Sequence, residues 1–213
     1  MEIKLIKEDP HYPFILIDNW YTDEELPSVW KELEYYTNLK KIDRAEDRSD
    51  GAKQNGESLI KAKRFYPDNM YTKEYRESSP IIHYMKKQRE CKELHDVVEQ
   101  CAPYGRHYLL SNADNTIITY YEQKDEYKEH VDVFAWTFCV WLYKEPKAFN
   151  GGDFVLTDIN TSITVKNNRA VLFPSCYMHK VTPIDFISTN TDSGMGRYTI
   201  SHFYYNTTLG NPK

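Results

Sequence analysis

A histidine and an aspartate two positions apart, His130 and Asp132, are the residues whose types and spacing point most directly to chemistry. They lie in a segment with the alternating pattern of a β-strand, and side chains at positions i and i+2 of a strand point to the same face. A histidine and a carboxylate on one face supply two of the three ligands of a 2-His-1-carboxylate site, which binds non-haem Fe(II) and leaves coordination positions open. The same pair also occurs by chance as a solvated histidine and aspartate, so the prediction requires a third ligand.

His179 is the strongest candidate for that third ligand among the seven histidines. It follows a short apolar strand pattern, residues 169–173, and a turn that begins at Pro174. A histidine just after such a turn can point across a barrel toward a residue on another strand. His83 and His95, by contrast, are expected on the surface of a helix, with no partner at a ligand spacing. Ligand types alone do not choose the metal, so Mn or Zn in the same three ligands is an alternative.

The overall charge argues against a nucleic-acid-binding protein. The 213-residue chain has a formal net charge of −5, so it lacks the basic surface with which such proteins neutralise phosphate groups. Two local basic clusters, residues 61–64 and 86–89, are expected to be solvated surface or loop charges, because such clusters are common on soluble proteins. With 40% hydrophobic and 15% aromatic residues, the chain can bury an adequate core. β-rich folds of this length commonly form one domain.

The cysteines and the N-terminus indicate a soluble, cytoplasmic protein. The four cysteines are scattered and form no C-x-x-C pair, which is typical of reduced thiols and not of a disulfide framework. The first residues contain no apolar segment of the kind that a signal peptide needs. No stretch approaches the roughly 18 apolar residues of a membrane-spanning helix. We therefore expect a cytoplasmic protein without membrane association, and the sequence does not indicate an oligomeric state.

The first half of the chain is expected to be mainly helical. Thr22 and Glu25 have the spacing of a capping box, which predicts a helix start. Pro27 lies so close to this cap that the helix could begin there instead. A second helical stretch begins at Ser79, which is followed by a proline at the first helical position. Between the two, the charged and glycine-containing residues 38–70 predict a long loop or a flap.

From residue 116 onward the periodicity is that of β-strands. Turn residues separate eight short segments, and this number of short strands predicts a sandwich or double-sheet jelly roll. The predicted strands are residues 117–123, 127–132, 136–143, 153–157, 162–165, 170–173, 180–184 and 197–205. We therefore expect a mostly β fold with flanking α-helices in a single domain, residues 1–213. Residues 1–115 would give helical support and the flap, and residues 116–206 would form the jelly-roll catalytic core.

Four segments of the second half match, in order, the motifs of a known enzyme family. Residues 121–132 place tyrosines nine and three positions before the histidine of the H-x-D motif, and residues 149–154 contain a G-G-D turn. Residues 170–183 contain a strand, a turn and a distal H-x-V segment, and residues 196–201 form a closing strand with a basic residue. In this order the chain resembles the Fe(II)/2-oxoglutarate-dependent dioxygenases, most closely the prolyl 4-hydroxylase-like branch, over about residues 117–205.

The resemblance implies a double-stranded β-helix, the jelly-roll or cupin-like core of the family, and a complete catalytic site. His130, Asp132 and His179 would hold Fe(II) and so form the catalytic centre. Arg197 would bind the far carboxylate of the cosubstrate 2-oxoglutarate, because a guanidinium can grip a carboxylate with two hydrogen bonds. O2 would take the remaining coordination position, and the resemblance allows ascorbate as a further cofactor.

Tyr121 and Ser201 are implied as hydroxyl donors to the same carboxylate. Ser201 follows Arg197 by four residues, so both lie on the same face of their strand. A surface position for Arg197 is the alternative, but Tyr198 and its apolar neighbours indicate a largely buried strand, where an unpaired charge would be costly. For Tyr121, a packed core aromatic is an equally good interpretation, because the chain has 18 tyrosines.

Three features depart from the pattern of the prolyl 4-hydroxylase-like branch. His179 and Arg197 are separated by about twice the spacing typical of the branch, which predicts a loop insertion over residues 185–194. The connection after Asp132 is short, and this connection helps to shape the substrate side of the site. Trp141 occupies a strand position where relatives can place a tyrosine toward the cosubstrate.

The implied reaction is the O2-dependent oxidation of 2-oxoglutarate to succinate and CO2, coupled to hydroxylation of a substrate C–H bond. Asp132 favours hydroxylation over halogenation, because related halogenases have a small residue in place of the carboxylate. Phe203 stands where nucleic-acid dealkylating members carry a second arginine, which argues against that activity. The expected substrate is a prolyl residue in a peptide or protein, and a free amino acid or another small metabolite is the alternative. A non-catalytic cupin-like module that binds a metal or ligand is the alternative from another class.

Overall fold

Two antiparallel β-sheets form the centre of the protein. The computed structural model describes residues 1–38, 44–48, 52–71, 74–189, 191 and 194–207. Numbered along the chain, the strands are β1 (Glu2–Ile6), β2 (Phe14–Asp18), β3 (Lys53–Gln54), β4 (Glu57–Ser58), β5 (Ile60–Lys61), β6 (Lys63–Phe65), β7 (Ala113–Tyr121), β8 (Glu126–His130), β9 (Trp136–Leu142), β10 (Phe149–Gly151), β11 (Phe154–Leu156), β12 (Thr161–Ile163), β13 (Arg169–Pro174), β14 (His179–Val181), β15 (Ile184–Phe186) and β16 (Arg197–Tyr205). The α-helices are α1 (Leu26–Thr37), α2 (Pro67–Met70), α3 (Pro80–Met85), α4 (Lys87–Glu90), α5 (Lys92–Val98) and α6 (Gly105–Leu109).

The topology is that of a jelly-roll core. The larger sheet has seven strands in the order β1-β2-β13-β9-β16-β7-β6, and the smaller sheet has five in the order β12-β11-β14-β8-β5. Neighbouring strands within both sheets of the described chain are antiparallel. Two short strand pairs, β3-β4 and β10-β15, stand beside the main sheets. The prediction of a mostly β fold with a jelly-roll core is confirmed.

Strand β9 shows how the larger sheet is covered on both sides. All seven of its residues are buried. Trp136, Phe138 and Val140 belong to an apolar cluster that the helices share with this sheet. Cys139 and Trp141 point the other way and belong to the cluster between the two sheets. A strand that is buried on both faces reads as a continuous apolar run, which explains the sequence of β9.

The helices pack on the outer face of the larger sheet. They contribute to the first of these clusters the buried side chains Val29, Leu33, Ile81, Met85, Leu94 and Val98. This layer leaves the opposite face of the larger sheet to the smaller sheet, where the polar residues of the site lie. Of the helices in the described part of the chain, none has both the length and the apolar character that a membrane crossing requires.

The predicted helix starts are present, one of them shifted. Thr22 and Glu25 make the two reciprocal hydrogen bonds of a capping box, at 2.9 Å and 3.3 Å. Helix α1 itself begins at Leu26, directly after Glu25, so its start lies one residue before the alternative start at Pro27. Ser79 is the N-cap of α3, and its hydroxyl accepts a backbone N–H of the first turn at 3.2 Å. The following helical stretch is divided into α3, α4 and α5.

Residues 60–65, which we call the bridging segment, belong to both sheets. Strand β5 pairs with β8 in the smaller sheet, and β6 pairs with β7 in the larger sheet. Since Ala62 alone separates them, the chain passes directly from one sheet to the other and closes one side of the sandwich. The prediction of a loop or flap is wrong here, because Ile60 and Ala62 are buried between the sheets. Residues 39–43 and 49–51 of the predicted flap lie outside the described residues.

The eight strands predicted after residue 116 all overlap strands of the structure. The last, predicted over residues 197–205, has these bounds as β16. The segment predicted over residues 180–184 is divided between β14 and β15. Strand β1, at the edge of the larger sheet, and the short strand β10 are additions that the sequence pattern did not indicate. Residues 190, 192 and 193 of the predicted loop insertion lie outside the described part of the chain.

Candidate metal centre and cosubstrate pocket

All six residues predicted for the site line a single pocket between the two sheets. Strands β8 and β14 and the turn after β8 supply the three predicted metal ligands, and the larger sheet supplies the three predicted cosubstrate-binding residues. These are His130, Asp132 and His179 on one side, and Tyr121, Arg197 and Ser201 on the other. The fold thus brings together residues that are far apart in the sequence.

The three predicted ligands converge on one point. His130 ends β8 and His179 begins β14, and their Cα atoms are direct partners across these strands. Asp132 follows in the turn, where its Oδ1 is 3.6 Å from Nε2 of His130 and its Oδ2 is 3.6 Å from Nε2 of His179. One ligand atom from each residue lies within 4.8 Å of the others. The two separations of 3.6 Å suit atoms that share a metal ion at about 2 Å from each.

Backbone carbonyl groups orient both imidazole rings. Nδ1 of His130 is 2.8 Å from the carbonyl oxygen of Lys128, and Nδ1 of His179 is 2.8 Å from that of Tyr177. A carbonyl oxygen can only accept, so each Nδ1 carries the proton and each Nε2 keeps its lone pair. This is the tautomer that a metal ligand needs, and the second hydrogen bond fixes the orientation of the ring.

Burial keeps the first of these histidines neutral. Removal from water, and then the neighbouring His179, lower the pKa of His130 to about 3, although a backbone hydrogen bond raises it. The ring of Tyr127 stacks on that of His130 with 3.5 Å between centroids. Phe154 and Phe173 lie 5.2 Å and 5.0 Å from the ring centre of His179. The aromatic contacts exclude water, and a neutral imidazole is the form that binds a metal.

A pair of hydroxyl groups holds the carboxylate of Asp132. Thr137 of β9 donates its hydroxyl to Asp132 Oδ2 at 2.7 Å, and the same Oγ1 is 2.8 Å from the hydroxyl of Ser175. Since the proton of Thr137 is used for Asp132, Ser175 must donate to Thr137. The backbone N–H of Asp132 also donates to the carbonyl of Ser175 at 3.0 Å. Sequence reasoning missed both residues, because these contacts depend on the turn geometry and not on a residue spacing.

Arg197 forms the other end of the pocket. Its side chain is fully buried, and one terminal nitrogen donates to the carbonyl of Gly152 at 2.5 Å. Its Nε and its second terminal nitrogen are buried and have no hydrogen-bond partner among the described residues. Burial lowers the pKa of this guanidinium, yet an arginine stays charged in a protein. A buried cation with unpaired N–H groups is costly, and an anionic ligand would remove that cost.

The glycine turn before β11 allows Arg197 to approach. Gly151 and Gly152 both have φ of +71°, which favours glycine. A Cβ on Gly152 would collide with the side chain of Ile184 and would lie 3.3 Å from Cδ of Arg197. A Cβ on Gly151 would collide with the carbonyl oxygen of Pro183. The G-G-D motif therefore has a steric role in shaping the arginine end of the pocket.

Tyr121 lies beside Arg197, whereas Ser201 lies four residues farther along β16 on the same face. Tyr121 is the Cα partner of Arg197 across β7 and β16, and the guanidinium carbon lies 5.2 Å from the centre of its ring. Trp141 gives a second aromatic contact at 5.5 Å, and its buried indole N–H has no partner among the residues described. The Ser201 hydroxyl is 3.5 Å from Sγ of Cys139. The two ring faces offset part of the cost of burying the cation.

Arg64 also lines the pocket, and the sequence interpretation placed it wrongly. It belongs to the basic cluster of residues 61–64, which was expected on a solvated surface. In the structure it lies on β6 opposite Thr119 of β7, with its side chain at the pocket wall. Ile60, Ala62 and Arg64 alternate along the bridging segment, but this pattern indicates an inward-facing Arg64 only once the pairing of β5 and β6 is known.

Part of the chain matches the model of a protein family, and the fold resembles that of several solved structures. Residues 116–205 match the family described as the 2OG-Fe(II) oxygenase superfamily, where 2OG is 2-oxoglutarate. The resemblance to these oxygenases is confirmed. Among curated proteins, none matches the chain significantly.

Several solved structures share the fold of this 2OG-Fe(II) oxygenase-like chain. A prolyl-4-hydroxylase from Pseudomonas putida is 12% identical, with a TM-score of 0.56 over 92% of this chain and 93% of that one. A prolyl 4-hydroxylase from Phytophthora capsici is 14% identical, with a TM-score of 0.55 over 93% of this chain and 60% of that one. The viral collagen prolyl hydroxylase from Paramecium Bursaria Chlorella virus-1, in its 2OG complex, is 13% identical, with a TM-score of 0.50 over 90% of this chain and 94% of that one.

The 2OG-Fe(II) oxygenase superfamily implies Fe(II), 2-oxoglutarate and O2, and the pocket suits the first two. Two imidazole Nε2 atoms and one carboxylate are the donor set that binds Fe(II) with open positions. The buried N–H groups of Arg197, which lack a partner among the described residues, suit a carboxylate at the other end.

Proposed function

We propose that this chain is an Fe(II)- and 2-oxoglutarate-dependent oxygenase that hydroxylates a C–H bond of its substrate. The observation that carries the proposal is that one pocket contains both an oriented His-Asp-His ligand set and a buried arginine with N–H groups left unpaired by the described residues. A facial set of three protein ligands leaves positions for a cosubstrate and for O2. A dicarboxylate that reaches from these positions to the arginine would satisfy both ends.

Each residue of the site has a role in this proposal. The metal ligands are His130, Asp132 and His179. The 2-oxoglutarate-binding residues are Arg197, Tyr121 and Ser201. The carboxylate of Asp132 occupies a position that a halide would need, so hydroxylation is favoured over halogenation.

The metal, when bound, supplies the oxidation with O2 and 2-oxoglutarate. The chain's own contribution is position and environment. Neutral imidazoles present Nε2 because their Nδ1 protons are held by backbone carbonyls. Thr137 keeps the carboxylate of Asp132 in one orientation. Arg197 would hold the far carboxylate of 2-oxoglutarate and so direct its other end toward the metal, while Tyr127 and Phe154 keep water from the histidines.

The proposed substrate is a prolyl residue in a peptide or protein. Two facts support this choice. The ordered motifs resemble those of the prolyl 4-hydroxylase-like branch, and structures with the same fold include prolyl hydroxylases from a bacterium and a virus. A free amino acid or small metabolite is the second candidate, and it is favoured by the cationic Arg64 at the pocket wall.

We also propose that residues 1–213 act as one catalytic domain. Strands from the first 65 residues pair with strands from the second half in both sheets. The bridging segment contributes Arg64 to the pocket, so the first half of the chain takes part in building the site.

Turnover in air tests the proposed function. The purified protein would be supplied with Fe(II), 2-oxoglutarate and ascorbate, with and without a panel of prolyl peptides, and succinate would be measured. We expect succinate formation that rises with at least one peptide, together with a peptide product heavier by one oxygen atom. His179→Ala should be inactive, and His83→Ala, which changes an exposed helix residue, should be active. Succinate formed at the same rate without any peptide effect would contradict the prolyl substrate, and no succinate from an iron-loaded protein would contradict the oxygenase function.

A further inference from the structure

The bridging segment places a second arginine in the pocket. Arg64 stands opposite Thr119 of β7, which in turn stands opposite Thr199 of β16. These three residues form one row across the inner face of the larger sheet, and Tyr121 and Arg197 form the next row. Neighbouring rows on one face are two residues apart, about 7 Å along the strands. Both long guanidinium side chains therefore reach the same pocket.

The described surroundings of Arg64 are aromatic and contain no acidic partner. The guanidinium carbon lies 5.4 Å from the centre of the Tyr127 ring, and the buried Nε has no hydrogen-bond partner within the described ranges. Burial has the largest influence on the pKa of this guanidinium and lowers it, while neighbouring tyrosines raise it, among them Tyr127, which is also a side-chain hydrogen-bond partner. Arg44 and Arg169 differ, because each forms an ion pair with an aspartate. Arg64 is thus a partly buried cation that has no carboxylate partner among the described residues, unlike Arg44 and Arg169.

The charge of the pocket indicates which kind of group would complete it. Among the described residues that line the pocket, Asp132 is the only carboxylate, and it stands against two guanidinium groups, Arg64 and Arg197. A divalent metal and the two charges of 2-oxoglutarate cancel, so Asp132 offsets only one arginine. A positive charge therefore stays unbalanced after metal and cosubstrate have bound. An unpaired charge in a poorly hydrated site is costly, and an additional anion would remove that cost.

The position of Arg64 fits a group that binds beside the metal. Tyr127 contacts both Arg64 and the metal-ligand candidate His130, because its ring centre lies 5.4 Å from the guanidinium carbon and 3.5 Å from the centre of the imidazole. Arg197 lies in a different row of the sheet and has its own candidate ligand in 2-oxoglutarate. The two arginines can therefore serve two different anions.

We propose that Arg64 binds a carboxylate of the substrate that is hydroxylated, and that it is a specificity-determining residue for acidic substrates. The proposal rests on the oxygenase function above and narrows its substrate class. The carboxylate can come from two sources, the α-carboxylate of a free amino or imino acid or an acidic side chain next to the target residue of a peptide. In both cases the guanidinium can donate two parallel hydrogen bonds to the carboxylate of the ligand. A ligand with an amide of the same shape in place of that carboxylate cannot make the same interaction.

Binding experiments without turnover test the proposal. Wild-type protein and Arg64→Gln, each loaded with Mn(II) and 2-oxoglutarate, would be titrated with matched acid and amide probes. One arm uses the free L-amino acids, proline included, against their primary amides. The other arm uses the blocked dipeptides Ac-Pro-Glu-NH2 and Ac-Pro-Gln-NH2. We expect at least one acid to bind the wild type roughly tenfold to a hundredfold more tightly than its amide, as for the loss of a charge-assisted pair. The arm that shows this preference identifies the source of the carboxylate.

Three controls separate a role in substrate binding from other effects. Arg64→Gln should lose the preference for the acid while binding 2-oxoglutarate within about twofold of the wild type. Arg64→Lys keeps the charge without the planar fork, so it should keep part of the preference. Lys61→Gln removes a charge from an exposed side chain of the same bridging segment and should keep all of the preference.

Each contrary outcome has a distinct meaning. The absence of any preference for an acid in the wild type, or a preference that survives in Arg64→Gln, would overturn the proposal. A tenfold or larger loss of 2-oxoglutarate affinity in Arg64→Gln would make Arg64 a cosubstrate residue and would overturn it as well. A wild-type protein that binds neither Mn(II) nor 2-oxoglutarate would instead contradict the oxygenase function itself.

Discussion

The two ends of the pocket are built in opposite ways. At the metal end, His130 and His179 have their Nδ1 atoms held by backbone carbonyls, and Asp132 accepts a hydrogen bond from a threonine. At the arginine end, Arg197 is fully buried, and two of its nitrogens have no hydrogen-bond partner in the described part of the chain. The fold therefore fixes the orientation of the proposed metal ligands, whereas within the described residues it leaves N–H groups of Arg197 for a bound anion to pair with. Substitutions at the two ends should therefore differ in their effects on ligand affinity and on the free energy of unfolding.

The largest effect is expected at the metal end. Replacing His179 by Ala removes one of three ligands and leaves a site that should bind Mn(II) or Fe(II) more than about a hundredfold more weakly, since even residues that only orient ligands contribute tenfold to a hundredfold. Metal affinity measured by calorimetry checks this result. His83→Ala is the matched control, because His83 is exposed on α3 and should leave the affinity unchanged. Equal metal affinities for the two variants would show that His179 is not a ligand.

At the arginine end, a substitution that removes the charge should not destabilise the ligand-free protein. Arg197→Met keeps an unbranched side chain but removes a buried cation, so the free energy of unfolding of the ligand-free protein should be equal to or higher than that of the wild type. Affinity for 2-oxoglutarate should fall by about a hundredfold, the equivalent of about 3 kcal/mol for a lost hydrogen-bonded charge pair. Urea denaturation and calorimetry measure the two quantities. A variant that is less stable and binds 2-oxoglutarate normally would assign Arg197 a purely structural role.

Lowering the pH should lower the free energy of unfolding of the ligand-free protein, because His130 at the metal end is buried as a neutral imidazole. The pKa of His130 is about 3 in the folded protein, mainly because of burial, and about 6.5 in an unfolded chain. Between these values the unfolded state binds more protons, so the free energy of unfolding falls as the pH falls below 6.5. The loss from this residue should be about 2 kcal/mol at pH 5. Chemical denaturation at pH 7 and pH 5 in the presence of a chelator measures it. His130→Gln should lose less stability between these two pH values, and an equal loss would contradict the assignment.

The smallest effect is expected from the support of the carboxylate ligand. Thr137→Val removes the hydroxyl that donates to Asp132 and keeps the side-chain shape, so metal affinity should fall about tenfold. Thr137→Ser restores a hydroxyl and should restore most of the affinity, whereas a general packing defect would not be rescued in this way. Metal titration of the two variants measures the difference. Equal affinity for the valine variant and the wild type would show that the turn alone orients Asp132.

Much of the core could be predicted from the sequence, because a strand whose faces each have uniform surroundings has a clear pattern of residue types. The closing strand β16 was predicted with its observed bounds, and the short strands before it at nearly correct positions. The bridging segment was not predicted, because its strands are two and three residues long and its lysines and arginine suggest a solvated loop. Its alternation of Ile60, Ala62 and Arg64 became meaningful only with the pairing to β7 and β8.

The candidate residues of the site could be identified from residue types and order, whereas their supporting contacts could not. The H-x-D pair, the distal histidine and Arg197 could be found from spacing and resemblance, and they line one pocket in the structure. Thr137 and Ser175 could not be found, since hydroxyl residues are common and their contact with Asp132 is made across a turn. The unpaired N–H groups of both arginines are likewise a property of the packed structure, because a sequence does not show which side chains lack partners.

Anaerobic titration of 2-oxoglutarate into the Fe(II)-loaded protein tests the contrast between the two ends most directly. We predict a visible metal-to-ligand charge-transfer band in the wild type that saturates near one equivalent. Arg197→Met should show the same band only at about a hundredfold higher 2-oxoglutarate concentration, because its metal end is intact and its anion-binding end is lost. A wild-type protein without the band, or the same saturation point in both proteins, would contradict the account.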